Sequence, residues 1–125
     1  MNLNNILIGS EDPKLLTDYY NKLFGEPVWN EGGYVSWQIG AGGITVGAHD
    51  QVKGRNSQPG RLIWNVESSD VKGDFDRLKA AGAIVIREPY NMGEEAPDVW
   101  IATFADPDDN YFQLTSPFQA PEAAS

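Results

Sequence analysis

Apolar and polar residues alternate along this chain with two periods, and the periods trade places in a regular order. Leu3 to Gly9 is a short apolar run that predicts a strand. Ser10-Glu11-Asp12-Pro13 follows, with Ser10 or Asp12 able to cap a helix and Pro13 suited to its first turn. Leu16, Tyr19, Tyr20, Leu23 and Phe24 then recur at helical spacing until Gly25 and Pro27 end the pattern. Val28 to Asn30, Tyr34 to Ile39 and Ile44 to Ala48 predict three strands, separated by glycine-rich turns at 32–33 and 40–43. Asp50 to Gly60 is polar and reads as a linker.

The order then starts again. Arg61 to Glu67 predicts a strand, and Ser69-Asp70 a helix cap. Val71, Phe75 and Leu78 form the apolar face of a second helix, ended by Gly82. Ala83 to Arg87 predicts a strand, Glu88 to Asp98 a loop, and Val99 to Ala105 with Tyr111 to Ser116 a hairpin around Asp106-Pro107-Asp108-Asp109-Asn110. The glycines that end the two helices lie 57 residues apart, and the two helix openings, at Asp12 and Asp70, lie 58 apart. A strand–helix–three-strand unit written twice can join into one continuous sheet layer. The expectation is one domain over 1–118, with modules of about 1–58 and 59–118 and a frayed tail at 119–125.

Composition narrows the chemistry. The 125 residues include no cysteine, which removes disulfides, thiolate metal sites and a cysteine nucleophile. His49 is the only histidine, so one chain cannot form a two-histidine metal site. The net charge is −9, which disfavours nucleic acid and anionic membrane surfaces as partners. No apolar stretch approaches a membrane span, and the first ten residues do not resemble a secretory signal, so the expected location is cytoplasmic. The charge is uneven: residues 1–58 carry four basic and six acidic groups, residues 59–125 five and twelve. Four Trp, five Tyr and five Phe supply aromatic surface for a core or a ligand pocket.

Four stretches carry a family resemblance: Leu3-Asn4-Asn5-Ile6-Leu7-Ile8 with the later Asp12-Pro13; Tyr20-Asn21-Lys22-Leu23-Phe24-Gly25; Phe75 to Gly82; and Phe104 to Leu114. Together they resemble the vicinal oxygen chelate superfamily of glyoxalases, bleomycin-resistance proteins and extradiol dioxygenases. The last stretch looks like that family's Asp-Pro-Asp-Gly-Asn turn, with Asp109 in place of the usual glycine. The resemblance implies an α+β fold of two βαβββ modules. Their mostly antiparallel sheets curve into a cup with helices outside, usually completed by a homodimer.

The resemblance also implies four metal-ligand positions. They fall on Asn5, on Ile63, on Gln113 and within Ile44 to Ala48, a segment without Asp, Glu or His. The hydrocarbon side chain of Ile63 cannot coordinate, and neutral amides without a carboxylate hold divalent ions weakly. The expectation is therefore no metal and no cofactor, and a small-molecule binder that sequesters a drug or toxic metabolite. The alternative is a lyase, isomerase or dioxygenase with a displaced metal or His49 as general base. A third reading is an interaction module with a filled cup.

Strand alternation puts Arg61, Ile63 and Asn65 on one face and Leu62, Trp64 and Val66 on the other, and groups Tyr111, Gln113 and Thr115. Trp64 reads as core. Trp37 is open between pocket and core, Trp100 and Phe104 are candidates for the cup wall, and Arg61 would meet either a local carboxylate or an acidic or carbonyl group of a ligand. His49 is either a loop residue or a base. The acidic loop Glu88 to Asp98 is either a solvated loop or a lid suited to a cationic ligand, which, with the aromatics, sets the expected partner as an aromatic or cationic organic molecule.

Overall fold

The computed structural model describes residues 1–117; the expectation for 119–125 lies outside them. The order is β1 (Asn5–Ser10), α1 (Pro13–Phe24), β2 (Trp29–Glu31), β3 (Tyr34–Ile39), β4 (Gly42–Ala48), β5 (Ile63–Glu67), α2 (Val71–Ala80), β6 (Ile84–Asn91), β7 (Trp100–Ala105) and β8 (Tyr111–Thr115). Each half is a βαβββ unit. The first forms a sheet in the order β1-β4-β3-β2, the second in the order β5-β8-β7-β6. β1 and β4 are parallel, as are β5 and β8, and the remaining pairs are antiparallel. The repeat seen in the sequence is thus a repeat of topology.

The helices form where their signals lie. Pro13 occupies the first turn of α1, and the Asp70 carboxylate accepts a hydrogen bond from the Gly73 N–H at 3.0 Å to cap α2. Gly25 and Gly82 follow the two helices at φ of 86° and 109°, a region that only glycine enters without steric cost. α1 packs on β1, β3 and β4, and α2 on β6, β7 and β8, so both sheets bury the face turned toward a helix. That shared core holds Leu16, Tyr20, Trp37, Ile44, Trp64, Phe75, Phe104, Phe112 and Leu114. Its aromatic centre is a run of stacked rings: Trp64 on Phe112 at 4.6 Å, Phe112 on Phe104 at 5.2 Å, Phe104 on Phe75 at 5.5 Å.

The Asp106–Asn110 turn fastens the two halves. Asp106 is fully buried, and its carboxylate accepts hydrogen bonds from the Tyr20 hydroxyl at 2.7 Å, from the Asn110 side chain and from the N–H groups of Asp108 and Asn110. Burial pushes this carboxyl above its ordinary range, against the pull of those donors. The Tyr19 hydroxyl donates to the Ala105 carbonyl at 2.6 Å and accepts from the Ile84 N–H, and Ser10 donates to Asp108 at 2.6 Å. Burial lifts the Tyr19 phenol to about 12, and burial together with the neighbouring Asp106 lifts Tyr20 further.

Several expected boundaries move, among them β1, which runs Asn5–Ser10 rather than from Leu3, and β2, which runs Trp29–Glu31. Pro59-Gly60-Arg61 forms a short 3-10 turn, so β5 begins at Ile63 and Arg61 is not on the strand. β6 continues to Asn91 and absorbs the first part of the expected Glu88–Asp98 loop. Its pairing with β7 slips between Arg87 and Tyr90, and Pro89 falls inside that slip on an edge strand, where a missing N–H costs no ladder bond. β4 begins two residues early, at Gly42. Among the described residues, no helix is long and apolar enough to cross a membrane.

Candidate functional site

Register decides which side chains share the face away from the helices. Ile8 and Ser10 are buried in the core, so Asn5, Leu7 and Gly9 turn the other way. Direct partners across a sheet share a face. Leu7 therefore aligns with Thr45, Ser36 and Trp29. In the second sheet Ile63 aligns with Tyr111, and Asn65 with Gln113, Thr103 and Arg87. Glu67 aligns with Thr115 and Ile101. Asn5, Ile63, Asn65, Tyr111 and Gln113 thus lie on the helix-free faces of the strands where the sequence placed them.

The other candidates lie elsewhere. Trp37 is 1% exposed on the core face, and its indole N–H is shared between the Asn21 side chain and the Gly25 carbonyl. Phe104 is fully buried between Phe75 and Phe112. Trp100 packs at the edge of the same core under the Lys72 ammonium, 3.8 Å from the ring centroid. None of the three lines the helix-free face, because each shares strand parity with core residues. Arg61 is exposed in its turn, with its guanidinium held by the Gln58 side-chain oxygen rather than by a carboxylate.

His49 follows β4 and packs over Gly9, whose added Cβ would lie 2.9 Å from the His49 Cβ. Gly9 is four residues from Asn5, a separation of about 13 Å along a strand. His49 is therefore at the far end of the face from Asn5. Its Nδ1 accepts the Gln51 N–H at 3.1 Å, which leaves Nε2 to carry the proton of the neutral ring. Asp50 lies 3.6 Å away and is almost fully exposed. No nucleophile among the described residues is bonded to the imidazole.

The twofold repeat identifies the fourth ligand position. Gln113 pairs with Asn65, two residues beyond Ile63; the residue that pairs with Leu7, two beyond Asn5, is Thr45. The four positions are then Asn5, Thr45, Ile63 and Gln113. Thr45 and Ser36 share a hydrogen bond at 2.7 Å, and the Gln113 amide donates to Thr103 at 3.1 Å. Both side chains are engaged across the sheet, and Gln113 keeps its Oε1 as an acceptor. A donor set of two amides, a hydroxyl and a hydrocarbon does not fit a catalytic divalent ion, which takes imidazole or carboxylate ligands. Among the described residues there is no group of three His, Asp or Glu arranged to hold one.

Two clefts open at Asn65. One, of about 540 Å³, runs between β1 and β5 and is bordered by Asn5, Asn65 and Glu67. The other, of about 790 Å³, is bordered by Asn65, Ile101, Thr115 and Asp98, so the acidic loop does border a cavity through one carboxylate. Both volumes suit an organic ligand. Leu7, Thr45 and Glu67 join this face; each sits two residues from a candidate or its partner, and period-two alternation is the sequence signal that marks them.

A profile of the glyoxalase-like domain matches residues 5–115. No protein among those of curated function matches the chain. Among solved structures, TioX from Micromonospora sp. ML1 superposes with a TM-score of 0.73 at 17% identity, covering 94% of this chain and 100% of its own. A glyoxalase/bleomycin resistance protein/dioxygenase family enzyme from Burkholderia phytofirmans PsJN gives 0.70 at 18%, with the same two coverages. A glyoxalase-related enzyme from Fulvimarina pelagi gives 0.70 at 20%, covering 98% and 93%. At these identities the likeness is one of fold.

Proposed function

The chain belongs to the glyoxalase-like domain family, within the vicinal oxygen chelate superfamily, and on that premise we propose that it binds a small organic molecule without a metal ion. The observation that carries this reading is the neutral set Asn5, Thr45, Ile63 and Gln113 at the positions where the superfamily's enzymes place ligands. Of the four, Asn5 borders a ligand-sized cleft, and the helix-free face of the second sheet mixes apolar Ile63 and Ile101 with amide and hydroxyl groups, a composition suited to holding an aromatic or amide-bearing compound. Sequestration needs only this binding. Asp98 beside the larger cleft favours a ligand with a cationic group.

A second copy of the chain is part of the proposal. Leu7, Trp29 and Tyr34 are 56%, 54% and 45% exposed on the helix-free face of the first sheet. A partner covering that face would remove the apolar surface from water and enclose the ligand.

The test is thermal denaturation against a panel of aromatic and cationic compounds, with native mass spectrometry of the purified protein. A true ligand at about a hundred times its Kd stabilises by about 2.7 kcal/mol, and the shift should vanish in Ile63→Glu. A transition-metal ion retained at one per subunit through dialysis would overturn the reading.

A further inference from the structure

The first sheet ends on β1 and the second on β5, and among the described residues no strand pairs with the outer side of either. The cleft of about 540 Å³ lies between these two edges, with Asn5 and Ile6 on one wall and Trp64, Asn65, Val66 and Glu67 on the other. An unpaired edge exposes a row of main-chain donors and acceptors.

Their directions follow from two hydrogen bonds. The Gly43 N–H donates to the Asn4 carbonyl at 3.1 Å, so that carbonyl points to β4. In a trans peptide the next N–H points the opposite way, and the Asn5 N–H therefore faces the cleft side of β1. On the other wall, the Ser68 N–H donates to the Thr115 carbonyl at 2.8 Å. The Glu67 carbonyl in that same peptide unit then faces away from β8, toward the cleft. One wall presents a donor and the other an acceptor. A third group is independent of both: Trp64 is 6% exposed, borders the cleft, and its indole N–H has no hydrogen-bond partner among the described residues. A buried donor without a partner costs about 1–3 kcal/mol.

We propose that this cleft takes a short extended peptide, laid between β1 and β5 and hydrogen-bonded to both edges. A peptide carbonyl accepts from the Asn5 N–H, a peptide N–H donates to the Glu67 carbonyl, and the Trp64 indole donates to a further carbonyl. A peptide matches because it alone repeats donor and acceptor at the spacing of a strand edge, which is the basis of strand addition. Ile39, partly exposed at the cleft, receives an apolar side chain. The Glu67 carboxylate and the net charge of −9 select a neutral or basic sequence over an acidic one. The cleft and Asn5 are shared with the ligand reading, but here main-chain groups of β1 and β5 hold the occupant: loss of the thermal shift with small molecules would sink only that reading, and absence of saturable peptide shifts only this one.

The experiment is an NMR titration of the full chain with the blocked tripeptide acetyl-Thr-Val-Thr-amide, following backbone amides and tryptophan indoles. The expected result is saturable shifts of the Asn5 amide and the Trp64 indole with a Kd of about 1 mM. A control peptide N-methylated at its central valine should bind at least about tenfold more weakly. Asn5→Pro deletes the donor at the first position of β1 without removing a ladder bond, and should weaken binding similarly. Trp64→Phe keeps a ring on Phe112 but removes the N–H together with the second ring of the indole; with a circular-dichroism melt to check the fold, it should weaken binding several-fold. Equal binding of the methylated peptide, or shifts confined to other residues, would overturn the proposal. So would Asn5 shifts that depend on protein concentration alone, which would put a second copy in the cleft. Shifts on deleting 119–125 with no response to peptide would put the chain's own tail there, with the same consequence.

Discussion

The two halves share a topology and differ in what they place on equivalent rows. In the second, the row Asn65–Gln113–Thr103–Arg87 is polar throughout; in the first, Leu7–Thr45–Ser36–Trp29 is polar only at its centre and apolar at its ends. The core side differs as well. The second half supplies most of the stacked rings, through Trp64, Phe75, Phe104 and Phe112, and it supplies the Asp106 turn that reaches across to α1. The corresponding turn of the first half, between β3 and β4, is Gly40-Ala41 with no buried carboxylate. Duplication fixes where strands run, and side chains then divide the work: one half anchors, the other offers apolar surface. The largest test of that division is Asp106→Ala. It strands the Tyr20 hydroxyl and the Asp108 and Asn110 N–H groups in a buried setting, and should cost about 3–5 kcal/mol, or on the order of 10 °C in melting temperature. Chemical denaturation checks it. A loss below about 1 kcal/mol would mean that α1 does not depend on the second half.

A smaller effect appears in alkali. Tyr19 and Tyr20 belong to α1 yet make their hydrogen bonds to the second half, and both phenols are raised above the ordinary value of 10.0. In the unfolded chain they ionise near 10. Above that pH the unfolded state has lost protons that the folded state still holds, so stability falls as pH rises from 10 through about 12. Below 10 this contribution is fully present. The phenolate absorbance contributed by Tyr19 and Tyr20, read as the difference from a Tyr19→Phe/Tyr20→Phe variant, should rise together with loss of secondary structure by circular dichroism. Its rise with the fold intact would separate the two tyrosines from the junction.

Much of this was legible in the residues. Helical spacing from Leu16 to Phe24 and glycines at 25 and 82 located both helices, because burial of one face and a positive φ leave direct marks in sequence. Alternation correctly separated Trp64 from Asn65. The same alternation, applied to Tyr34–Ile39, groups Trp37 with Val35 and Ile39 against Ser36 and Gln38, and applied to β7 it groups Trp100 and Phe104 against Thr103. Treating aromatic rings as pocket walls set that signal aside. Other features carry no local mark. The 3-10 turn at Arg61 and the run of β6 through Pro89 depend on neighbouring strands. The cleft between β1 and β5 depends on where two sheets stop, which is a tertiary fact.

The smallest effect compares the two β-turns directly. Gly40 and Asp109 both hold a left-handed backbone, at φ of 60° and 63°, and Asp109 is the non-glycine residue that does so among those described. A side chain in this region costs on the order of 1 kcal/mol, somewhat less for Asp, whose carboxylate can bond locally. Asp109 recovers a little from Arg55, 3.6 Å away, but both side chains are substantially exposed and such a pair contributes little. Asp109→Gly should therefore raise stability by about 0.5 kcal/mol, after the added freedom of glycine in the unfolded chain is counted. Gly40→Asp should lower it by a similar or larger amount, because no hydrogen-bonded box like that of Asp106 and Asn110 braces the first turn. Paired urea titrations of the two variants read the difference. Equal and opposite shifts would make the turns interchangeable; a stabilised Asp109→Gly beside a strongly weakened Gly40→Asp would place the tolerance for a strained residue in the bracing of the second turn.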